Sequence, residues 1–154
     1  MSTTPVLAPA AGRVVALADV PDPVFSAGMV GYGGAVDPPR AVIDALAPVA
    51  GKVLKLMPHA YVIMTADNVG VLVHLGLDTV ALNGEGFTAL VAQGDQVAAG
   101  QPIITYDVPA IEAKGLNPIV PVVIMDEREP ANIAVGAAAG SDIAAGAVLF
   151  TATT

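Results

Sequence analysis

The sequence predicts an all-β fold, an antiparallel β-barrel or sandwich with an internally duplicated strand-turn-strand motif and one or two short helices. Hydrophobic residues make up 55 % of the 154 residues but aromatic residues only 4 %, so Ala, Val, Leu and Ile must form most of the core. The 16 glycines and 13 prolines divide these residues into short apolar runs, a pattern typical of many strands joined by tight turns. The length predicts one domain that covers residues 1–154.

The predicted duplication rests on two pairs of similar segments. Residues 7–17 (LAPAAGRVVAL) resemble residues 46–56 (LAPVAGKVLKL), and residues 94–104 (GDQVAAGQPII) resemble residues 140–150 (GSDIAAGAVLF). Each pair repeats the end of one strand, a turn and the start of another strand. Such self-similarity indicates a repeated β unit, although two copies are too few for a solenoid.

Apolar runs and turn residues place the elements in chain order. The first ten residues begin a strand, and residues 20–39 are predicted to be a loop because Pro and Gly interrupt them repeatedly. A short helix is predicted over 109–114, which starts with Pro and is followed by Gly, and residues 84–91 are expected to form a helical turn. Strands are predicted at 47–56, 59–65, 69–75, 78–82, 102–106, 119–125 and 147–152.

Composition and charge exclude several classes of function. The chain has no cysteine, which excludes disulfides, thiolate metal sites and a cysteine nucleophile. We expect no signal peptide and no membrane insertion, because no basic segment precedes an apolar one at the start and no apolar run reaches membrane-spanning length. The net charge is −8 with only six Lys and Arg residues, so binding to nucleic acid is not expected.

The only two histidines, His59 and His74, lie in segments predicted to form one hairpin, HAYVIMT and VGVLVHL. A two-residue loop at Ala66-Asp67 would pair the two histidines directly, with their Cβ atoms about 5 Å apart. A loop at Asp67-Asn68 would make them diagonal neighbours on one face. A three-residue loop would place them on opposite faces.

Two adjacent imidazoles suit phosphoryl transfer. One neutral ring attacks phosphorus through a free nitrogen while its other nitrogen is held by a hydrogen bond, and the second ring stabilises the developing charge. The residues alone leave two other interpretations open. A histidine in an apolar strand is often a packed, hydrogen-bonded core residue, and a histidine pair also binds metal, although two ligands make a weak site.

A long motif then identifies a family. The run GVLVHLGLDTVALNGEGF at residues 70–87 resembles the signature of the glucose-family EIIA domain of the bacterial phosphotransferase system. The resemblance covers nearly the whole chain. Further matching segments lie at residues 20–31, 46–53, 58–63, 94–103 and 117–124.

The resemblance implies a barrel-like β-sandwich that carries a phosphoryl group in sugar uptake. It implies that His74 accepts the group from a histidine of the small carrier HPr, that His59 supports the group without carrying it, and that the carbonyl of Gly76 orients the His74 ring. The group would then pass to a cysteine of an EIIB domain on another chain. We expect a cytoplasmic monomer without cofactor or metal, and glucose and N-acetylglucosamine are both compatible sugars.

The resemblance also implies a docking surface for partner proteins, with acidic groups at its rim. Its candidate residues are Asp22, Val24, Phe25, Met29, Val30, Met57 and Asp78. Met57 departs from the family pattern, because many members carry Thr there, and a thioether accepts hydrogen bonds weakly and donates none. This departure motivates an alternative function, a regulatory module that docks on transporters or enzymes without efficient phosphotransfer. A zinc hydrolase is a third hypothesis and needs a further ligand from Asp or Glu.

Overall fold

The computed structural model describes residues 3–154, which form antiparallel strands with two short helices, and this confirms the predicted fold class. The strands are β1 (Thr3–Leu7), β2 (Gly12–Ala16), β3 (Gly31–Asp37), β4 (Val42–Leu46), β5 (Gly51–Met57), β6 (Ala60–Met64), β7 (Gly70–His74), β8 (Phe87–Ala89), β9 (Gln96–Val97), β10 (Pro102–Asp107), β11 (Val120–Met125), β12 (Ile133–Val135), β13 (Asp142–Ile143) and β14 (Val148–Thr153). The helices are α1 (Pro23–Ser26) and α2 (Val108–Ala113), and 3-10 turns span Leu17–Asp19, Thr79–Leu82 and Pro130–Asn132. Neither helix in this part of the chain has the length and apolarity needed to cross a membrane.

The strands form one large sheet and two small ones. The large sheet has the order β13-β2-β3-β11-β7-β6-β5-β9, and the small sheets have the orders β1-β14-β12 and β4-β10-β8. The strand order of the large sheet is symmetric about its centre, since β13 corresponds to β9, β2 to β5, β3 to β6 and β11 to β7. The two halves also exchange equivalent backbone hydrogen bonds, Leu7 N–H to Pro48 O (2.8 Å) and Leu46 N–H to Pro9 O (2.9 Å). The repeated segments therefore build equivalent halves, which confirms the predicted duplication.

The large sheet is buried on both faces because it separates two apolar clusters. Along β7, Val71 and Val73 face the larger cluster, whereas Leu72 faces the smaller one, as the alternation of a strand requires. The connection between β2 and β3 covers the smaller cluster, and Phe25 packs there with Leu72. His74 has the same parity as Leu72 and therefore lies beside this connection.

Three predictions of local structure are wrong. Residues 78–82 form a 3-10 turn rather than a strand, because Asp78 adopts a left-handed backbone (φ 60°) that no strand can continue. Residues 84–91 contain β8 rather than a helical turn, since Gly86 also has positive φ (92°) and the following residues pair with β10. The predicted loop over 20–39 contains both α1 and β3.

Candidate active site

The two histidines meet at one end of the β6–β7 hairpin, in the pairing register that the sequence analysis associated with a three-residue loop. The hairpin loop spans residues 65–69, and Ala60 rather than His59 pairs with His74. Both two-residue loops are therefore wrong, and strand alternation alone would place the histidines on opposite faces. His59 escapes that alternation because it occupies the tight turn between β5 and β6. Its ring centroid lies 5.0 Å from that of His74, with 72° between the ring planes.

Backbone pairing joins the turn of His59 to the end of β7. The N–H of Leu75 donates to the carbonyl of His59 (2.7 Å). Met57 pairs with Ala60, and Ala60 pairs with His74, so these three residues form a row across adjacent strands on one face. Ala60, which is fully buried, lies between Met57 and His74 in this row. The side chain of Met57 is therefore on the same face of the sheet as His74.

One hydrogen bond determines which nitrogen of His74 is free. Nδ1 lies 2.5 Å from the carbonyl oxygen of Gly76. A carbonyl only accepts hydrogen bonds, so Nδ1 must carry the proton and Nε2 keeps its lone pair in the neutral ring. The ring of Phe25, 5.2 Å away and tilted by 59°, packs against the same imidazole. His74 is thus a half-buried side chain with a defined tautomer and a nucleophilic nitrogen.

Burial keeps both imidazoles neutral. Desolvation is the main cause that lowers the pKa of His74, and the Gly76 carbonyl, Asp22 and Asp78 act in the opposite direction. Desolvation also lowers the pKa of His59, with a second contribution from the charge of His74. Because an unperturbed histidine titrates near about 6.5, both rings are predominantly neutral at neutral pH, the state that a nucleophile requires.

The lowered pKa values predict that stability falls with acidification. Between the ordinary histidine pKa of about 6.5 and the lower folded values, the unfolded chain binds more protons than the folded one. The free energy of unfolding should therefore decrease as pH falls below about 7 and should level off, for this contribution, once pH is below the folded pKa values. Urea unfolding at a series of pH values measures the effect. A His59→Gln/His74→Gln variant is the control, and an equal decline in both proteins would contradict the prediction.

The apolar residues predicted to form the docking surface differ in how far their side chains are exposed to solvent. Met29 is 62 % exposed, Val24 43 % and Met57 37 %, whereas Val30 is half-buried. Phe25 is only 5 % exposed and packs against His74. It therefore offers little surface to a partner and instead supports the imidazole from within the protein.

The two predicted acidic residues lie close enough to His74 to influence its titration. The carboxylate of Asp22 accepts a hydrogen bond from Val24 N–H (3.0 Å) and caps α1. Asp78 is exposed and precedes the 3-10 turn, in which Val80 is 64 % exposed. Sequence reasoning missed Val80 because it placed this segment in a strand.

Sequence reasoning also missed Thr79. Its side chain is completely buried, and its hydroxyl donates to the carbonyl of Leu75 (2.8 Å). The only signal was a hydroxyl residue within the HLGLDTV run. Over residues 3–154, no group of three or more His, Cys, Asp or Glu side chains is arranged to hold a metal ion.

Comparison of the chain with known proteins gives consistent results. Residues 4–129 match the family model described as phosphoenolpyruvate-dependent sugar phosphotransferase system, EIIA 1. The glucose-specific EIIA component of Oceanobacillus iheyensis is 41 % identical over 84 % of this chain and 81 % of that protein. The glucose-specific EIIA component of Bacillus cereus is 39 % identical over 87 % and 82 %, respectively.

Two further relatives extend the comparison to a multidomain protein and a solved structure. The mannose-specific EIIBCA component of Corynebacterium glutamicum is 41 % identical over 77 % of this chain, which covers 17 % of that longer protein. The structure of glucose permease IIA from Mycoplasma capricolum superposes with a TM-score of 0.86 at 32 % sequence identity, and the match covers 98 % of this chain and 96 % of that one.

Proposed function

We propose, because the chain belongs to the EIIA 1 family of the phosphoenolpyruvate-dependent sugar phosphotransferase system, that it relays a phosphoryl group through His74 in the cytoplasm. The donor is the phosphorylated histidine of HPr, and the acceptor is a cysteine of an EIIB domain. The observation that carries the proposal is the contact between His74 Nδ1 and the Gly76 carbonyl, which leaves Nε2 as a free nucleophile beside a second imidazole.

The first step is an in-line displacement at phosphorus. The Nε2 lone pair of His74 forms the new N–P bond while the bond between phosphorus and the donor nitrogen breaks, and that electron pair returns to the donor imidazole. The proton on His74 Nδ1 stays in place throughout. The positive charge that the phosphorylated ring acquires is stabilised by the Gly76 carbonyl, and the carboxylates of Asp22 and Asp78 favour that charge at longer range.

His59 stabilises the phosphoryl oxygens during both transfers. Its neutral ring carries one N–H donor, and the 5.0 Å between the two ring centroids supports a hydrogen bond from that donor to the transferred group. Such a fixed donor in a partly desolvated site stabilises charge that develops in the transition state. The hydrogen bond from Leu75 to the His59 carbonyl holds the supporting ring at the same end of β7 as the acceptor.

Partner proteins dock on the exposed apolar residues around the histidines. Val24, Met29 and Met57 contribute apolar surface, and Asp22 with Asp78 supplies negative charge. The net charge of −8 favours partners with basic contact surfaces and accelerates their encounter. A monomer is sufficient for this role, because both histidines come from one chain.

The name of the Corynebacterium glutamicum relative, which combines B, C and A units, supports an EIIB domain as the acceptor. In the second transfer the cysteine thiolate attacks phosphorus, the N–P bond breaks, and the electron pair returns to Nε2 of His74. The imidazole is then neutral again and ready for another cycle. No cofactor takes part in either step.

Intact-protein mass spectrometry after exposure to phosphorylated HPr tests the proposal. We expect one phosphoryl group, mapped to His74, and its removal when an EIIB domain is added. A protein that is phosphorylated but never discharges to EIIB would favour the alternative of a regulatory docking module. A protein that accepts no phosphoryl group from HPr would overturn the proposal.

His59→Gln is expected to slow phosphoryl transfer to and from His74 by roughly 10²–10³-fold, the usual cost of one preorganised donor to a developing charge. The KM for HPr should change little, because the apolar docking residues are untouched. Rapid-quench kinetics with labelled HPr measure the rate, and the ¹⁵N spectrum of His74 checks that its tautomer is unchanged. A rate within a factor of about two of the native rate would show that His59 has only a packing role.

A further inference from the structure

The Gly76 carbonyl that orients His74 belongs to a turn whose peptide groups are individually fixed. In the peptide between Leu75 and Gly76, the carbonyl accepts a hydrogen bond from Thr79 Oγ1 (2.8 Å) and the N–H donates to Ile119 O (3.0 Å). Both polar groups of this peptide therefore have partners, and rotating it would break two buried hydrogen bonds at once.

The next peptide is fixed in the same way. Its carbonyl, that of Gly76, accepts from Nδ1 of His74, and its N–H, that of Leu77, donates to Asn117 O (2.9 Å). The segment that supplies these acceptors is itself held, because Tyr106 donates its hydroxyl hydrogen to Pro118 O (2.9 Å). The orientation of the Gly76 carbonyl thus depends on two adjacent peptide groups, neither of which can rotate without breaking hydrogen bonds.

Two hydrogen bonds hold the peptide between Leu75 and Gly76, and only one of them involves a side chain. That side chain belongs to Thr79, whereas the other partner is the backbone carbonyl of Ile119. The Thr79 side chain is completely buried. Its γ-methyl group lies 2.6 Å from the place that a Cβ on Gly76 would occupy, so it packs directly against the glycine. The hydroxyl and the methyl group therefore act on the same turn by two separate contacts.

We propose that Thr79 is a positioning residue, whose hydroxyl fixes the peptide between Leu75 and Gly76 and thereby selects the tautomer of His74 with a free Nε2. Without the hydroxyl, the Leu75 carbonyl has no partner in a buried turn and moves to find one. The neighbouring Gly76 carbonyl then loses its alignment with Nδ1. The imidazole consequently populates the tautomer with hydrogen on Nε2, which has no lone pair there to attack phosphorus.

Two substitutions separate the hydroxyl from the methyl group. Thr79→Val keeps the shape and removes the donor, whereas Thr79→Ser keeps the donor and removes the methyl. The primary measurement is the ¹⁵N spectrum of the His74 ring, which reports the tautomer without any partner protein. We expect the tautomer with hydrogen on Nδ1 in the native protein and in Thr79→Ser, and a mixture in Thr79→Val. Thr79→Ala, which removes both groups, should change the spectrum in the same direction as Thr79→Val.

The kinetic consequence rests on the proposed function and is measured separately. Thr79→Val should lower the rate of phosphoryl acceptance from HPr roughly ten-fold, the effect of one hydrogen bond, with an unchanged KM. Thr79→Ser should restore the rate to within about two-fold of the native value. If the native protein accepts no phosphoryl group but the tautomer still depends on Thr79, the positioning role holds and the proposed function fails.

Tyr61→Phe is the matched control for loss of a buried hydroxyl. Tyr61 is fully buried in the larger cluster and donates to Leu46 O (2.7 Å), away from the Gly76 turn. The Tyr61→Phe variant should be less stable than the native protein, but the ¹⁵N spectrum of its His74 ring should be unchanged. The proposal is overturned if Thr79→Val and Thr79→Ala both keep the native tautomer, or if Tyr61→Phe disturbs the tautomer equally.

Discussion

His74→Gln is expected to abolish phosphoryl acceptance from HPr, with a rate at least roughly 10⁴-fold below the native one, as for removal of a nucleophile in other group-transfer proteins. The amide nitrogen of glutamine has no lone pair available for attack on phosphorus. His59 should not replace it, because the tight turn that carries His59 is fixed by a backbone hydrogen bond to Leu75, and the Gly76 carbonyl orients only the ring of residue 74. Labelled phosphate and mapping of the modified peptide measure the outcome.

His59→Gln is the matched control, because the same substitution is made at the other histidine of the chain. It should retain the label on His74, although more slowly. Thermal unfolding of both variants at neutral pH checks that each is folded, because loss of the label identifies the acceptor only in a folded protein. Native-rate labelling of His74→Gln would show that the acceptor lies elsewhere in the chain.

Sequence reasoning succeeded where apolar runs and tertiary structure agree. The predicted strands at 102–106, 119–125 and 147–152 correspond closely to β10, β11 and β14, because β-branched runs between turn residues fit a buried sheet. The helix predicted over 109–114 corresponds to α2, which begins at Val108 with Pro109 in its first turn and is followed by Lys114 and Gly115. Family motifs located both histidines and the residues around them.

Prediction from the sequence failed where long-range contacts decide the conformation. Its glycines place the segment GYGGAVD in a predicted loop, yet this segment is strand β3, and the strand requires those glycines. A Cβ on Gly33 would lie 2.0 Å from Val122 O of β11, so only glycine allows the two strands to approach. No local signal reports this contact, because it involves a partner strand far along the chain.

The histidine pair illustrates the same limit within the site. The two alternatives that place the histidines together require a two-residue loop, and all three alternatives require continuous strands up to both histidines. The actual loop spans residues 65–69 and contains the hydrogen bond from Thr65 N–H to Val69 O (2.9 Å). His59 reaches His74 only because β6 begins one residue later, at Ala60. The observed register is that of the three-residue loop, for which opposite faces were expected. The meeting of the histidines in this register depends on the turn that carries His59, which residue counting does not reveal.

The site lies where the duplication is broken. The two halves share strands and hydrogen bonds, but β5 and β6 are joined by a tight turn, whereas the equivalent β2 and β3 are joined by residues 17–30. The short connection positions His59, and the long one carries Asp22 and Phe25 to His74. One half thus supplies both imidazoles, and the other supplies the residues that cover and polarise them.

Gly76→Ala is expected to lower the free energy of unfolding by about 2–4 kcal/mol and to disorder His74 as well. Gly76 has a φ of 82°, which costs an L-residue about 1–2 kcal/mol. Its new Cβ would also lie 2.6 Å from Thr79 Cγ2 and 3.2 Å from Asn117 O, and the latter belongs to fixed backbone. The turn must shift to relieve this contact, and the carbonyl that holds Nδ1 of His74 shifts with it.

Two further variants separate the clash from the backbone strain. Gly100 has nearly the same φ of 84°, and nothing lies within 4 Å of the place its Cβ would take, so Gly100→Ala should cost only about 1–2 kcal/mol. Adding Thr79→Ser to Gly76→Ala removes the contacting γ-methyl and should recover about 1 kcal/mol, a coupling that urea unfolding of the full double-mutant cycle measures. Equal costs at Gly76 and Gly100 would mean that the turn is not closely packed. In that case the position of the Gly76 carbonyl would depend on its hydrogen bonds alone, and Thr79 would act through its hydroxyl without help from its methyl group.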